Sequence, residues 1–340
     1  MAIDIGIDLG TAKTIILSGA KVLLEEPSAV AVDSDTWEPI AFGEKAYKMI
    51  GRTPDSITSV LPIERGVIAD YQSAEEMMRR FMRKAFGNKM VKPRVMVAMP
   101  SGLTAVQHRS VAQVVEAAGG RNVCTIESPM AAAIGLGIDF TKARGTMIVD
   151  IGAGTTDAAV ISLGGLSQCE SGKVASSDFD EAIVRYVRKE YNILIGLQTA
   201  EQIKKQIGSV VERPVEIAMQ AKGRNLFTGL PQIFEITTNE IFHAVDDIAL
   251  SICKVVQGVL EHTEPDLVAD ISEDGIHLTG GGALIYGMEQ RLSNFTGVPV
   301  KLVEDPLHCV VRGTGIALKH PSLLKNGDYA FRSLQDLIVD

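Results

Sequence analysis

The chain has 340 residues, 46% of them hydrophobic, with a formal net charge of −9. That is an ordinary globular composition with apolar matter enough for two sizeable cores. The acidic surplus argues against generic binding to nucleic acid, and no run of eighteen apolar residues is present to span a membrane.

Four cysteines, Cys124, Cys169, Cys253 and Cys309, lie far apart with no Cys-x-x-Cys pair. They suggest neither a zinc site nor a disulfide framework, and a reducing cytoplasm fits. The start carries Asp4 and Asp8 without a basic segment before an apolar one, so it does not read as a signal peptide.

Taken in order, the chain opens on an alternation of Ile3, Ile5 and Ile7 with Asp4, Gly6 and Asp8, a period-two strand. The strand runs into Asp8-Leu-Gly-Thr-Ala-Lys-Thr14, and Ile15 to Leu17 resumes the apolar run. Residues 21–65 are mixed, with turn signals at Pro27, Pro39, Pro54 and Pro62, and read as a small inserted region. A helix follows, with Ser73 and Glu76 in capping-box spacing and Met77, Met78, Phe81, Met82 and Ala85 on one face.

Along that helix and its exit run seven basic residues, Arg79, Arg80, Arg83, Lys84, Lys89, Lys92 and Arg94, with no acidic residue between them. Phe86, Met90 and Val91 sit among them. Two readings stand side by side: a basic-apolar stretch that docks on an anionic lipid surface, or a solvated helix face followed by a loop whose apolar residues turn inward.

Val95 to Met99 is a predicted strand. Val111, Val114, Val115 and Ala118 mark a helix that Gly119-Gly120 stops. A strand over Asn122 to Ile126 leads through Glu127-Ser128-Pro129 into a helix of small residues, Met130 to Gly137, suited to close packing.

Met147-Ile-Val-Asp-Ile-Gly-Ala-Gly-Thr-Thr-Asp157 then repeats the opening design: an apolar strand ending in Asp150, a glycine turn, and a returning strand from Ala158 to Leu163. An amphipathic helix covers Phe179 to Tyr191. Another begins at Thr199, which stands in capping-box spacing with Gln202. Glu201 and Lys204 share one face of it. They suit either contacts to a ribose or base edge or, more simply, a solvent-exposed pair.

Pro214 to Pro231 reads as short strands and turns. Thr237 and Glu240 cap a long helix to about His262. A strand from Gly275 feeds Gly280-Gly281-Gly282, where no side chain would block a flat ring or ribose, and then Ala283 and Leu284. A strand over Val298 to Val303 and a helix over Val310 to Leu318 complete the predicted elements. The tail from Pro321 to Asp340 carries no readable signal.

The chemistry lies in the two Asp-apolar-Gly turns. Glycine at Gly10, Gly152 and Gly154 lets an anion approach the main chain, and backbone amides of such turns, Gly10 and Gly152 among them, form a concave anion site. Thr11, Thr14, Thr155 and Thr156 add hydroxyl donors. Asp8 and Asp150 offer oxygen to a hydrated Mg²⁺. Two similar halves, each presenting a phosphate loop to a shared cleft, explain the repetition better than two unrelated hairpins. The Gly-x-x-x-x-Gly-Lys-Ser/Thr loop is missing, as are hydrolase triads, and the six histidines are scattered.

These three glycine signatures, in order, resemble the actin-like ATPase superfamily, and within it the MreB/Mbl family of bacterial actins of cell shape. Glu26-Pro-Ser, Gly51-Arg-Thr-Pro54, Gly66-Val-Ile-Ala-Asp70, Pro129-Met-Ala-Ala-Ala-Ile-Gly135, Thr199-Ala-Glu201, Phe179-Asp-Glu-Ala-Ile183, Gly223-Arg-Asn-Leu226 and Asp305-Pro-Leu307 extend the match from about Ile5 to Leu318.

The resemblance implies an α/β, actin-like (ribonuclease H-like) fold of two duplicated lobes, each a mixed sheet flanked by helices. It implies subdomains over 1–30 with 66–140 (IA), 31–65 (IB), 141–175 with 243–320 (IIA) and 176–242 (IIB), and a tail over 321–340. ATP with Mg²⁺ would lie between the lobes. Gly10, Thr11, Ala12, Lys13, Thr14, Gly152, Ala153, Gly154, Thr155, Thr156, Gly280, Gly281, Gly282, Ala283 and Leu284 would surround it. Glu201 and Lys204 would reach the nucleoside, and Asp8 and Asp150 would hold the metal through water.

The resemblance further implies homopolymer filaments, copolymers with paralogues, and cell-shape and wall-synthesis partners. It places the chain in the cytoplasm at the inner membrane face, with Phe86, Met90 and Val91 facing lipid. An actin-fold small-molecule kinase and a chaperone-type ATPase are the alternatives.

Departures from the family are informative. Ser128 stands where the family has the glutamate that aligns the attacking water, and a hydroxyl does not serve as a carboxylate base at neutral pH. Glu127 is adjacent but its side chain points differently, and Thr155 is the other candidate near the reaction. Ala153 replaces a glycine, Ala175-Ser176-Ser177 replaces Gly-Gly-Asp, and Lys13 replaces an asparagine, adding charge near the phosphates. ATP binding with slow hydrolysis is the expectation.

Overall fold

The computed structural model describes residues 3–87, 92–320 and 332–333. In the first lobe the chain forms β1 (Asp4–Leu9), β2 (Lys13–Ser18) and β3 (Lys21–Pro27). A small insertion of β4 (Val30–Asp33), β5 (Pro39–Phe42), α1 (Glu44–Met49) and β6 (Ile57–Val60) follows. Next come the short ribbon β7 (Ile63–Glu64) and β8 (Val67–Ile68), α2 (Tyr71–Phe86), β9 (Arg94–Met99), α3 (Ala105–Ala117), β10 (Arg121–Glu127) and α4 (Ser128–Gly135).

The second lobe holds β11 (Thr146–Ile151), β12 (Thr156–Ser162), β13 (Gly165–Gly172), α5 (Ser176–Tyr191), β14 (Ile193–Leu194), α6 (Leu197–Ile207), β15 (Ala218–Asn225), β16 (Pro231–Thr237), α7 (Thr238–Glu261), α8 (Pro265–Asp274), β17 (Ile276–Thr279), a 3₁₀ turn (Gly281–Leu284), α9 (Met288–Thr296), β18 (Val300–Leu302) and α10 (Cys309–Lys319).

The duplication is visible in the sheets. The first runs β3-β2-β1-β9-β10 and the second β13-β12-β11-β17-β18, the same order in each. β1 and β11 each pair antiparallel with the next strand through the glycine turn, and parallel on the other edge with β9 or β17. A parallel pair requires a long crossover, supplied by helices that bury both faces of the central strands. Hence β1 and β11 share one burial pattern, with Ile5, Ile7, Met147 and Val149 fully buried. β19 (Arg332–Ser333) adds to the open edge of β10, so the tail does contribute a pairing.

Two cores fill the lobes, one under α2 and α3, the other under α5, α6 and α7. A third cluster joins them. Met130 to Ile134 of α4 and Val310, Ala317 and Leu318 of α10 pack with Met96, Ala98, Ile148 and Ile161 of the two sheets. Gly135 and Gly313 let the two helices cross at backbone contact: a Cβ on Gly313 would lie 1.7 Å from the Ala131 carbonyl oxygen. The small-residue helix is therefore a packing element, as its composition suggests.

Two predicted caps fall elsewhere. Asp70, not Ser73, caps α2, its carboxylate accepting from the Ser73 amide at 2.6 Å. The next helix of the second lobe, α6, starts at Leu197, ahead of Thr199, after Gly196, with no side-chain cap. The Thr237–Glu240 box forms on α7 as its spacing predicts.

Candidate functional site

Between the lobes lies a cleft of about 730 Å³. The β1–β2 and β11–β12 turns enter it from opposite sides, and both are tightened by a main-chain bond across the turn. Gly10 donates to Lys13 O at 3.0 Å and Gly152 to Thr155 O at 2.9 Å. These two amides are consumed in shaping the turns and are not offered to an anion, contrary to the sequence expectation. Thr11 and Ala12 in the first turn, and Ala153 and Gly154 in the second, line the cleft with amides that no hydrogen bond among the described residues uses. Gly154 is required by close approach, since a Cβ there would strike Thr11 Oγ1 and the Arg65 backbone. The family glycine at Ala153 is not needed for that contact.

Three carboxylates cluster at the floor. Burial raises Asp8 to about 6. Burial, then the neighbouring charges of Asp157 and Asp8, raises Asp150 well above the usual range. Asp157 is also raised to about 6 by burial, although it accepts from the Ser101 amide and from Thr155 Oγ1, each at 2.8 Å. Clustered, desolvated carboxylates suit a hard dication, which takes oxygen donors. Among the described residues no three His, Cys, Asp or Glu side chains converge to hold a metal directly. Asp8 and Asp150 therefore fit an ion held through water.

Of the other predicted residues, Gly280, Gly281, Gly282 and Leu284 line the cleft. Gly280 and Gly282 are packed so tightly on the end of β11 that a Cβ on either would strike the Ile151 main chain or side chain. Thr14, Thr156 and Ala283 lie behind the lining: Thr14 Oγ1 bonds Ser28 Oγ at 2.9 Å, and Thr156 Oγ1 donates to Val174 O at 2.7 Å. Lys13 lines the cleft, yet its ammonium is held by Glu25 at 2.7 Å. That chain of charges continues from Glu25 to His308 and Asp305.

Glu201 and Lys204 both line the cleft, but they do not pair with one another. Lys204 is nearly buried and donates to Asp180 at 2.7 Å and to Ser176 O and Oγ. Glu201 accepts from Lys205 and from the Tyr47 hydroxyl of α1, and Gln198 donates to Tyr47 O. This bridge between the first-lobe insertion and α6 has no signal in the sequence, since its partners are about 150 residues apart.

Ser128 begins α4 at the cleft wall. Its hydroxyl donates to Met99 O at 3.1 Å and is thereby turned into the backbone. Glu127 does not line the cleft, and its charge is felt by Cys169 on β13 instead. Thr155, oriented by Asp157, does line it.

Of the residues expected to face lipid, Met90 and Val91 lie outside the described residues, and Phe86 is half-buried against the first-lobe core. Much of the basic run is neutralised: Arg79 and Arg80 pair with Glu75 and Glu76, Lys84 with Glu26, and Arg94 with Asp4. Sequence reading missed Arg65, which bridges to Asp178 at 3.0 Å behind the turns, and the lining residues Arg213 and Tyr286.

Two sheets of one repeated order, hinged by two helices about a glycine-lined cleft with an acidic floor, define an actin-like protein. The sequence profile described as MreB/Mbl protein matches residues 2–326, and the chain belongs to that family. It is similar to the cell shape-determining protein MreB of Escherichia coli (strain K12), 44% identical over 323 residues, 93% of each chain. It also resembles the cell shape-determining protein Mbl of Bacillus cereus (strain ATCC 10987 / NRS 248), 41% identical over 319 residues, 93% of this chain and 96% of that one. Among solved structures, MreB 5 of Spiroplasma citri bound to AMPPNP superposes with a TM-score of 0.89 at 37% identity, covering 95% of this chain and 97% of that one.

Proposed function

We propose that this chain binds ATP with Mg²⁺ in the cleft and assembles into filaments with itself and with paralogues. The filaments would lie at the inner face of the cell membrane and organise cell shape and wall synthesis with partner proteins of those processes. The observation that carries the nucleotide reading is the pair of opposed turns whose lining amides, at Thr11, Ala12, Ala153 and Gly154, remain available above Asp8 and Asp150. Preorganised amides suit a polyphosphate, and a 37% identical relative holds a triphosphate analogue. Bound Mg²⁺ would supply charge neutralisation to the β- and γ-phosphates. Family membership supports the filament and cell-shape part. The stretch from Phe86 to Val91 is the proposed contact with lipid.

Hydrolysis is slow in this reading. Ser128 presents no carboxylate and spends its hydroxyl on Met99 O, which leaves Thr155, aligned by Asp157, to hold the attacking water. The deciding experiment follows phosphate release and sedimentation with ATP, with and without acidic vesicles. Sedimentation that depends on ATP, with little phosphate released and faster release in Ser128→Glu, is the expected result. Release equal to that of a glutamate-bearing relative would overturn the slow-hydrolysis reading.

A further inference from the structure

One turn of the first lobe touches both glycine turns from behind. It joins β7 to β8 through Arg65 and Gly66, which lie consecutively in the left-handed region at φ 45° and 75°. Two-residue hairpin turns of this kind favour Asn-Gly or Asp-Gly. Gly66 meets that demand, whereas a long L side chain at position 65 is disfavoured there. The backbone gives no reason for an arginine, so the reason lies in what its side chain reaches. The Gly66 amide donates to Thr11 Oγ1 on the first glycine turn at 3.1 Å. A Cβ on Gly154, in the second glycine turn, would strike the Arg65 main chain, and one on Gly66 would meet Pro100 and Thr155.

From this seat the Arg65 guanidinium crosses to the second lobe. Nη2 donates to Asp178 Oδ1 at 3.0 Å, Nη1 donates to Oδ2 at 3.5 Å, and Nη1 also donates to Lys173 O. A fork on a carboxylate fixes orientation as well as distance. Asp178 in turn holds the start of α5, its Oδ2 accepting from the Ala175 amide at 2.8 Å. The next two amides of that helix start donate to the second glycine turn, Ser176 to Gly152 O at 3.2 Å and Ser177 to Ala153 O at 2.9 Å. A peptide is planar, so pinning its carbonyl also sets the direction of its N–H. The two peptides pinned here carry the Ala153 and Gly154 amides, the pair that this turn offers to the cleft.

We infer that Arg65 and Asp178 are positioning residues for the nucleotide's phosphates. Their ion pair clasps the two lobes and, through the start of α5, keeps the Ala153 and Gly154 amides aimed, so that breaking the pair loosens the hold on the phosphates. Neither side chain lines the cleft, and both act through the turn. The inference rests on the nucleotide reading of the cleft.

The test is release of a fluorescent ATP analogue with Mg²⁺ from the full chain in stopped-flow measurements, beside thermal melts of the nucleotide-free protein. Arg65→Asn removes the fork but suits the turn, so without nucleotide it should melt no lower than the wild type. Asp178→Asn keeps an acceptor for the Ala175 amide and removes the charge; it carries the same test if the Arg65 variant fails to fold. Each should release the analogue about tenfold faster than the wild type. The double variant should release it no faster than either single one, because both break one contact. Arg65→Lys, which keeps the charge but not the fork, should fall between. Wild-type release rates in both asparagine variants, or accelerations that multiply in the double variant, overturn the inference alone. So does a nucleotide-free melting temperature that falls in step with the faster release, which would mark a merely structural pair. Failure of the wild type to bind the analogue overturns the nucleotide reading, and this inference with it.

Discussion

At the scale of single residues, Ser128 and Lys204 show how a side chain's partner decides its use. A glutamate at position 128 would extend past the Met99 carbonyl that now occupies the serine hydroxyl. General-base assistance contributes about 10²–10⁴-fold. Ser128→Glu is expected to recover part of that, a rise of about tenfold or more in single-turnover phosphate release, because Thr155 and Asp157 already stand in place. Lys204 looks in sequence like a free surface ammonium. Folded, it neutralises Asp180, whose carboxyl burial still raises to about 6 despite that neighbour. Its first duty is to stabilise a buried charge, and its reach toward a nucleoside is limited accordingly.

At the scale of elements, the crossing of α4 and α10 sets the geometry of the whole cleft, because each lobe hangs on one side of it. Ala131, Ala132, Ala133, Gly135, Gly313 and Ala317 hold the helices at backbone contact, and the flanking Met130, Ile134 and Leu318 are nearly or fully buried. Adding one methyl at Gly313 would drive it into the Ala131 carbonyl. Overpacking of this kind costs about 1–3 kcal/mol, and more where main chain must move. Gly313→Ala should lower the urea midpoint by a corresponding amount. It should also reduce nucleotide affinity, since Thr314 and Val311 of the same helix pack on Gly6 of β1, just before Asp8.

At the scale of the molecule, charged and polar bridges tie the halves together, Arg65 to Asp178 among them, and two others lend themselves to test. Tyr47 of the first-lobe insertion reaches Glu201 and Gln198 of α6 across the cleft. A hydrogen bond to a charged group is worth about 1.5–3 kcal/mol. Tyr47→Phe should therefore speed release of a fluorescent ATP analogue by about tenfold in stopped-flow measurements, with little change in thermal stability. The second bridge is pH-sensitive. Burial alone would lower the His308 imidazole, but hydrogen bonds to Asp305 and Glu25 outweigh it and the pKa is raised. A raised histidine contributes stability in full below its unfolded pKa, and that contribution is lost as pH rises through the folded value. The wild type should lose that contribution as pH rises above about 6.5, and His308→Gln should flatten the dependence in urea melts.

Much of this protein is legible in its sequence for a local reason. A strand, a glycine turn and a returning strand are built from neighbours in the chain, so the two turns at Gly10 and Gly152, their preceding aspartates and the small-residue helix could be read in order. The same is true of the cap at Thr237. Misreadings arose where a nearer partner competed: Asp70 captured the Ser73 amide, and Glu25 captured Lys13.

The linear pattern by itself determined the duplication, the family and the position of the two glycine turns, because these depend on spacing over a few residues. Only the tertiary structure decided which amides are available, that Glu201 belongs to Tyr47 and Lys204 to Asp180, and that Arg213 stacks on Tyr286. Those contacts join residues 24 to 154 positions apart. Their formation depends on how two lobes and a helix crossing bring distant surfaces together, and no local periodicity encodes that distance.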